Sequence, residues 1–373
     1  MQPTLFTPLA LGELTLPNRI ALPPLTRCRS AQPGNVPNEM MRDYYQQRAS
    51  AGFMVTEGTQ IEPRGQGYAW TPGIHTAEQI AGWRQVTQAV KAQGGTLFCQ
   101  LWHVGRVSHR ALQPQQQAPI APSAIAATNV RVFIETAPGE GELVAPSEPR
   151  ALETEEISQL VEMYRRAAVN AKQAGFDGIE LHAANGYLIN QFLSVHTNHR
   201  SDHYGGSLTN RLRFLKEVVE AVSTVFDSRQ VGVRFSPLFS TTEEDRVYLG
   251  LVEPDPAETY LTAAKMLNEM NIGYLSIAEA DWDNSPALPE SFRFALRQAF
   301  TSVIMVAGRY DQAKAQHVLS QGWADLVGFG RTFIANPDLP ERLERGLALN
   351  PVELSSLYGG TAKGYTDYPT IDG

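Results

Sequence analysis

The chain has 373 residues, of which 43% are hydrophobic, so it can bury a large core without disulfides or a structural metal. Its formal net charge of −8 provides no basic surface for a phosphate backbone, so we expect no nucleic-acid partner. No apolar run reaches membrane-spanning length and no basic-then-apolar segment stands at the start, which predicts a cytoplasmic protein without a membrane partner. The two cysteines, Cys28 and Cys99, form neither a CxxC pair nor a zinc-ligand set, and we expect free thiols.

Short apolar runs alternate along the chain with longer amphipathic stretches, as expected of βα units around a parallel sheet. An open Rossmann-like sheet would give a similar alternation, but no GxGxxG turn follows an early strand. Eight runs permit closure, so we predict a single (β/α)8 TIM barrel domain over residues 1–373. The predicted strands are Ile20–Pro24, Phe53–Gly58, Thr96–Trp102, Gly178–His182, Val231–Ser236, Tyr274–Ala278, Val303–Gly308 and Asp325–Gly330.

The segments around these strands complete the predicted fold. The opening segment Leu5–Asn18 contains turn residues and is predicted to be a hairpin that covers the barrel floor. Residues 113–150 are rich in Pro, Gly, Ser and Thr and have no helical period, so we interpret them as a loop subdomain inserted between the third strand and its helix. Thr154 is expected to cap that helix. The clearest helical patterns cover Ala77–Ala92, Thr154–Ala174, Leu208–Phe226, Asp255–Met270 and Asp311–Gln321.

Functional groups of a barrel enzyme gather at the carboxyl ends of its strands. Here those ends carry an amide, an imidazole and several guanidinium groups, which suit a large anionic cofactor. The last two predicted strands lead into Gly308-Arg309 and Gly330-Arg331, where many barrels bind phosphate through backbone N–H groups. Tight turns with surface arginines are the alternative, but the two loops together favour a phosphate site.

Several segments in chain order carry a resemblance to one family. The run Gly178–Leu193, GIELHAANGYLINQFL, resembles the substrate-binding and proton-donor segment of the Old Yellow Enzymes. The agreement covers nearly the whole chain. The other matching segments are Pro23–Arg27 (PPLTR), Gln100–Arg106 (QLWHVGR), Asn198, Arg200–Arg211 (RSDHYGGSLTNR), Tyr358–Gly360 (YGG) and Gly364–Pro369 (GYTDYP).

This resemblance implies an FMN-binding barrel that uses NADPH or NADH as its hydride donor. It places Thr26 near the flavin C4 carbonyl and N5, and Gln100 and Arg234 on the pyrimidine edge, where a guanidinium stabilises the charge of reduced flavin. It also implies that the two glycine-arginine loops bind the FMN phosphate, in agreement with the position of these loops after the last two predicted strands. The implied cofactor-binding residues are Pro24, Thr26, Gly58, Gln100, Arg234, Gly308, Arg309, Gly330 and Arg331.

The resemblance further implies reduction of activated alkenes, namely enones, maleimides and nitroalkenes, by ping-pong hydride transfer. His182 and Asn185 would polarise the substrate carbonyl or nitro oxygen, and Tyr187 would protonate the α-carbon, since a phenol keeps its proton at neutral pH. Regular helix would point Tyr187 away from the other two, so the site requires an irregular loop. His182 and Asn185 also count as substrate-binding residues, together with the implied pocket walls Tyr68, Trp102 and Tyr358.

Other interpretations of these residues remain open. A buried histidine, a tyrosine at a helix start and packed aromatic rings are all common without any catalytic role. A barrel hydrolase with a metal bound by His196, His199, Asp202 and His203 is one rival, although their spacing matches no strong zinc motif, and we expect no metal. A flavin-binding or sensing module without turnover is the other rival.

Overall fold

Eight parallel strands close into a barrel in the computed structural model, which describes residues 2–239, 252–279 and 287–372. Neighbouring strands pair in sequence order, and the ring closes where the eighth strand pairs with the first, Val327 opposite Ile20. A two-residue strand, Thr59–Gln60, also pairs with the third strand. The predicted barrel is therefore confirmed. Its strands are Ile20–Leu22, Phe53–Val55, Leu97–Trp102, Gly178–His182, Val231–Phe235, Tyr274–Ala278, Val303–Ala307 and Leu326–Gly328.

Amphipathic helices return the chain on the outside of the barrel. The helix Ala77–Ala92 shows why: Thr76 caps its start, and its buried residues, including Trp83 and Val86, face the strands. The five predicted helices are present, and the described residues contain five more α-helices, each of ten residues or fewer. The α-helices of the described residues are Glu39–Gln47, Ala77–Ala92, Thr154–Gln173, Leu188–Leu193, Leu208–Val222, Pro256–Glu269, Glu290–Ala299, Gln312–Ser320, Gly330–Ala335 and Leu339–Arg345.

The predicted N-terminal hairpin consists of antiparallel strands Leu9–Leu11 and Leu14–Leu16. Leu11 and Leu16 are buried in one cluster with the inward-facing Phe53 and Tyr274 of the barrel. The hairpin therefore closes the floor, and the opposite, carboxyl end of the strands is left for a ligand.

The segment between the third strand and its helix contains short strands of its own. Ile120–Ala121 pairs with Arg150–Ala151, and Val132–Ala137 forms an antiparallel hairpin with Glu140–Val144. Val130 and Val132 are buried against Trp102 and Tyr187, so this hairpin packs on the carboxyl end of the barrel.

One predicted cap is wrong. Glu153, not Thr154, is the N-cap residue of the helix Thr154–Gln173, and its backbone N–H donates to Glu156 at 2.8 Å. The Thr154 hydroxyl instead donates to Asp202 at 2.7 Å, because the loop that carries Asp202 packs against the helix start. None of the helices in the described ranges has the length and apolar character that crossing a membrane requires.

Candidate active site

A cavity of about 710 Å³ lies at the carboxyl end of the barrel strands. Its volume falls in the range of ligand and cofactor sites, roughly 300–1,000 Å³. Strands one to five, seven and eight, or the loops that follow them, contribute to its wall, and every site residue that the sequence predicted lines it. These residues are Pro24, Thr26, Gly58, Tyr68, Gln100, Trp102, His182, Asn185, Tyr187, Arg234, Gly308, Arg309, Gly330, Arg331 and Tyr358.

A buried polar network sits beside one part of this cavity. Gln100 and Arg234 line the cavity from the third and fifth strands, and Glu180 stands between them on the fourth. The Gln100 Nε2 donates to Glu180 Oε1 and the Tyr274 hydroxyl donates to Oε2, both at 2.8 Å. Burial raises the pKa of Glu180, while the Arg234 charge and the two donors act in the opposite direction.

Arg234 has an unsatisfied donor in this network. Its Nε is buried and has no hydrogen-bond partner among the residues that the structure describes. A buried donor without a partner is costly, so an acceptor supplied by a ligand would stabilise this site.

The hydrogen bonding of His182 fixes its tautomer. The backbone N–H of Ala184 donates to Nδ1 at 3.3 Å, so in the neutral ring Nε2 carries the proton and acts as a donor. Burial, aided by the Arg234 charge, holds the pKa of His182 well below its usual value. The imidazole is therefore neutral at physiological pH and offers one N–H to the cavity that it lines.

Asn185 and Tyr187 reach the same cavity through an irregular turn, as the sequence requires. The strand ends at His182, and Asn185 and Gly186 follow with φ angles of 56° and 76°. Asparagine tolerates this left-handed region better than most residues, and Ser236 Oγ accepts its backbone N–H at 2.7 Å. Tyr187 then precedes the helix Leu188–Leu193 as its N-cap residue, which turns its side chain back toward His182.

Aromatic rings form one wall of the cavity. The Trp102 indole lies parallel to the Tyr68 ring with 5.9 Å between centroids and edge-on to the Tyr187 ring at 5.0 Å. The two tyrosine hydroxyls are 3.1 Å apart. A Cβ at Gly58 would lie 2.4 Å from the indole, so the absence of a side chain there makes room for Trp102.

The glycine and arginine loops lie at another part of the wall. Gly308 and Arg309 have φ angles of 141° and 54°, a tight turn that glycine permits at the first position. The Gly308 carbonyl accepts from Lys314 Nζ at 3.1 Å, which braces the turn against the next helix. Arg331 follows Gly330 in the first turn of Gly330–Ala335. The two arginines give this part of the cavity a positive charge.

The inserted hairpin contributes Arg131, Phe133 and Leu143 to the cavity wall. The composition of residues 113–150 predicts a loop subdomain and gives no sign of this contribution to the cavity. The run from Val130 to Ile134, which is rich in β-branched residues apart from Arg131 and Phe133, is the signal that could have indicated a strand.

The rival metal site is not assembled. Asp202 binds Arg200 at 2.6 Å and Thr154, and His196 Nε2 lies 2.7 Å from the Val252 carbonyl oxygen. Within residues 2–239, 252–279 and 287–372, no group of three or more His, Cys, Asp or Glu side chains could hold a metal ion.

FMN fits these observations. Its pyrimidine carbonyls are acceptors that suit the unsatisfied Arg234 donor, its ring system suits a wall of indole and phenol, and its phosphate suits two glycine-arginine turns. Fold and site together define the class of FMN-dependent oxidoreductases built on a (β/α)8 barrel.

Comparison with known proteins identifies the family. The model of the NADH:flavin oxidoreductase / NADH oxidase family matches residues 4–350, and the chain belongs to this family. It is a flavoprotein oxidoreductase with FMN as its cofactor and a nicotinamide as its hydride donor, and the resemblance to the Old Yellow Enzymes is confirmed.

The relatives have reductase names. The chain is 40% identical over 376 residues to 12-oxophytodienoate reductase 1 of Oryza sativa subsp. japonica, covering 99% of this chain and 93% of that protein. Among solved structures, morphinone reductase is 48% identical with a TM-score of 0.94, covering 100% of this chain and 97% of that one. The Old Yellow Enzyme homologue of Zymomonas mobilis is 38% identical with a TM-score of 0.90, covering 98% and 99%. These findings support ene-reductase activity.

Proposed function

We propose that the protein reduces the C=C bond of activated alkenes, such as enones, maleimides and nitroalkenes, with hydride taken from NADPH or NADH. The observation that carries the proposal is the convergence of His182, Asn185 and Tyr187 on one FMN-sized cavity. The named reductases among its relatives support the same reaction class.

The cavity wall divides by chemistry into places for the parts of FMN. Gln100 and Arg234 would bind the pyrimidine edge, and Thr26 would lie near N5 and the C4 carbonyl, with Pro24 and Gly58 beside it. Arg234 gains the acceptor that its Nε lacks in the protein alone. The FMN phosphate would be bound by a second set of residues, which consists of Gly308, Arg309, Gly330 and Arg331.

His182 and Asn185 then act on the alkene. The Nε2–H of the neutral His182 ring and the Asn185 amide donate to the carbonyl or nitro oxygen, which draws electron density from the double bond. Because His182 stays neutral, it polarises the substrate without giving up a full proton. Trp102, Tyr68 and Tyr358 limit the positions that the alkene can take in the cavity.

Tyr187 supplies the proton. Its hydroxyl lies in the same cavity as the polarising pair, and Tyr68, 3.1 Å away, can stabilise the phenolate that forms when the proton leaves. When bound, FMN would supply the hydride-transfer chemistry between the nicotinamide and the alkene. A single cavity would receive nicotinamide and alkene in turn, which gives ping-pong kinetics.

The test uses the purified holoprotein without oxygen. NADPH or NADH should bleach the visible flavin absorbance, and a cyclic enone added afterwards should restore it with formation of the saturated ketone. Bleaching without recovery on enones, maleimides or nitroalkenes would leave an oxidoreductase of another specificity and contradict the proposal. The cytoplasmic location stays a prediction.

A further inference from the structure

Glu180 is a charged residue in the barrel interior that the proposed mechanism does not use. It stands in the middle of the strand Gly178–His182 and is fully buried. A buried carboxylate is costly unless its oxygens are hydrogen-bonded, and both oxygens of Glu180 accept bonds of 2.8 Å, from Gln100 and Tyr274. Such a group needs an explanation beyond packing.

The path of the Tyr274 side chain shows that this contact is built into the barrel. Tyr274 belongs to the sixth strand and Glu180 to the fourth, so the phenol must cross the fifth strand. It crosses at Gly232, where a Cβ would lie 2.1 Å from the Tyr274 ring. Any side chain at Gly232 would close this route to the carboxylate.

The Glu180 carboxylate determines the orientation of the Gln100 amide. Both Glu180 oxygens accept hydrogen bonds, from the Gln100 amide and the Tyr274 hydroxyl, so the amide nitrogen of Gln100 faces the carboxylate. The amide oxygen of Gln100 is then the acceptor that this residue can offer to the cavity that it lines. Glutamine at position 180 could accept or donate, and it would allow both orientations of Gln100.

The same carboxylate opposes the charge of Arg234. Arg234 lies on the adjacent strand, with its backbone paired to that of His182, and its charge acts on Glu180 through space. A guanidinium favours reduced flavin, which gains negative charge, whereas a nearby carboxylate disfavours it.

We propose that Glu180 is a positioning residue for FMN, which holds the Gln100 amide in one orientation and, through its negative charge, lowers the reduction potential that Arg234 alone would set. This inference rests on the proposed placement of Gln100 and Arg234 against the flavin pyrimidine.

The experiment compares Glu180→Gln with Glu180→Asp by two measurements: the dissociation constant of FMN from the apoprotein and the midpoint potential of the bound flavin. Glu180→Gln removes the charge and the fixed orientation, so FMN should bind roughly tenfold more weakly. The binding of reduced flavin should strengthen roughly tenfold relative to that of oxidised flavin, which corresponds to a rise of about 30 mV in the two-electron midpoint potential. Glu180→Asp keeps the charge, but its shorter side chain moves the carboxylate away from Gln100. FMN binding should therefore weaken without a rise in the midpoint potential. Glu180→Asp also tests the contact with Gln100 if Glu180→Gln does not fold.

Two further variants separate positioning from general damage. In a Gln100→Ala background, Glu180→Gln should add less than about twofold to the FMN dissociation constant, because its effect on binding passes through Gln100. Tyr274→Phe removes one donor to Glu180 but keeps the Glu180 contact with Gln100, so it should weaken FMN binding less than Glu180→Gln does.

The outcomes distinguish the inference from the proposal beneath it. If Gln100→Ala weakens FMN binding but Glu180→Gln neither weakens it nor raises the potential, the role of Glu180 is overturned and the flavin placement stands. Additive effects of the two substitutions on binding would also overturn it. If Gln100→Ala itself leaves FMN affinity unchanged, the placement of the pyrimidine edge and the role of Glu180 fall together.

Discussion

Replacing Tyr187 with phenylalanine removes the proposed proton donor and leaves its ring. The ring packs edge-on against the Trp102 indole at 5.0 Å and the His182 imidazole at 4.9 Å. Neither contact involves the hydroxyl. The substitution removes the hydrogen bond to Tyr68, worth about 1 kcal/mol of folding free energy, so the variant should fold and bind FMN.

The expected kinetic loss follows from what is left near the substrate. The Tyr68 hydroxyl lies 3.1 Å from the Tyr187 hydroxyl, so the proton sources left in the variant are Tyr68, which does not occupy the position of the lost donor, and water. We expect enone reduction to slow by about a hundred- to ten-thousandfold, which corresponds to about 3 to 5 kcal/mol of transition-state stabilisation.

Stopped-flow absorbance of the flavin measures the two half-reactions separately. Bleaching by NADPH or NADH needs no proton from Tyr187 and should change little, whereas recovery with an enone should slow. Recovery with a nitroalkene should slow less, because its hydride adduct is a stabilised anion that can leave and take a proton from water. Tyr68→Phe is the matched control and should slow enone reduction less than Tyr187→Phe. Equal slowing of both half-reactions would indicate disturbed flavin geometry, and unchanged enone reduction would refute the acid role.

Three further predictions test other parts of the site and its surroundings. Charge reversal at both Arg309 and Arg331 should yield folded protein depleted of FMN, as judged by the ratio of flavin to protein absorbance, while reversal at the outer-helix residues Arg166 and Arg345 should not; normal flavin content would exclude the phosphate role. His182→Ala should weaken binding of phenols and slow alkene reduction roughly ten- to a thousandfold, and unaltered affinity and rate would make the histidine structural. Glu57 is fully buried, and burial raises its pKa to about 7 against 4.5 unfolded. The native state therefore binds more protons, so stability should fall as pH rises from 4.5 to 7, by up to about 3 kcal/mol. Urea unfolding at both ends of that range should show a smaller difference for Glu57→Gln, and an identical difference would contradict the shift.

The barrel could be predicted because its strands are buried on both faces. Such strands appear in the sequence as short runs of apolar residues, for example Val303–Ala307, and the helices between them have their own period. Strand ends were less certain. The first and second strands stop at Leu22 and Val55, before the predicted Pro24 and Gly58, because the chain leaves the sheet there to line the cavity.

The site residues were predicted mainly from resemblance, and the structure brings all of them to one cavity. Local sequence could not supply this convergence, since Tyr187 meets His182 only through the left-handed turn at Asn185 and Gly186. The inserted hairpin was not anticipated at the cavity because its contact with Trp102 joins segments that are remote in sequence. Long-range packing of this kind leaves little trace in local patterns.

Glu180 shows where local patterns do carry such information. The run GIELH is apolar enough for a buried strand, and a glutamate in it conflicts with the burial that the rest of the run requires. That conflict predicts a hydrogen-bonded carboxylate in the interior, but it cannot name the donors, because Gln100 and Tyr274 lie on strands whose register with Glu180 is set by barrel closure. The structure shows the partners. It also explains the glycine at position 232, because Tyr274 crosses the fifth strand there to reach Glu180. A residue that breaks the burial rule of its strand is therefore a reason to look for a site, and here the site is the one that the cavity defines.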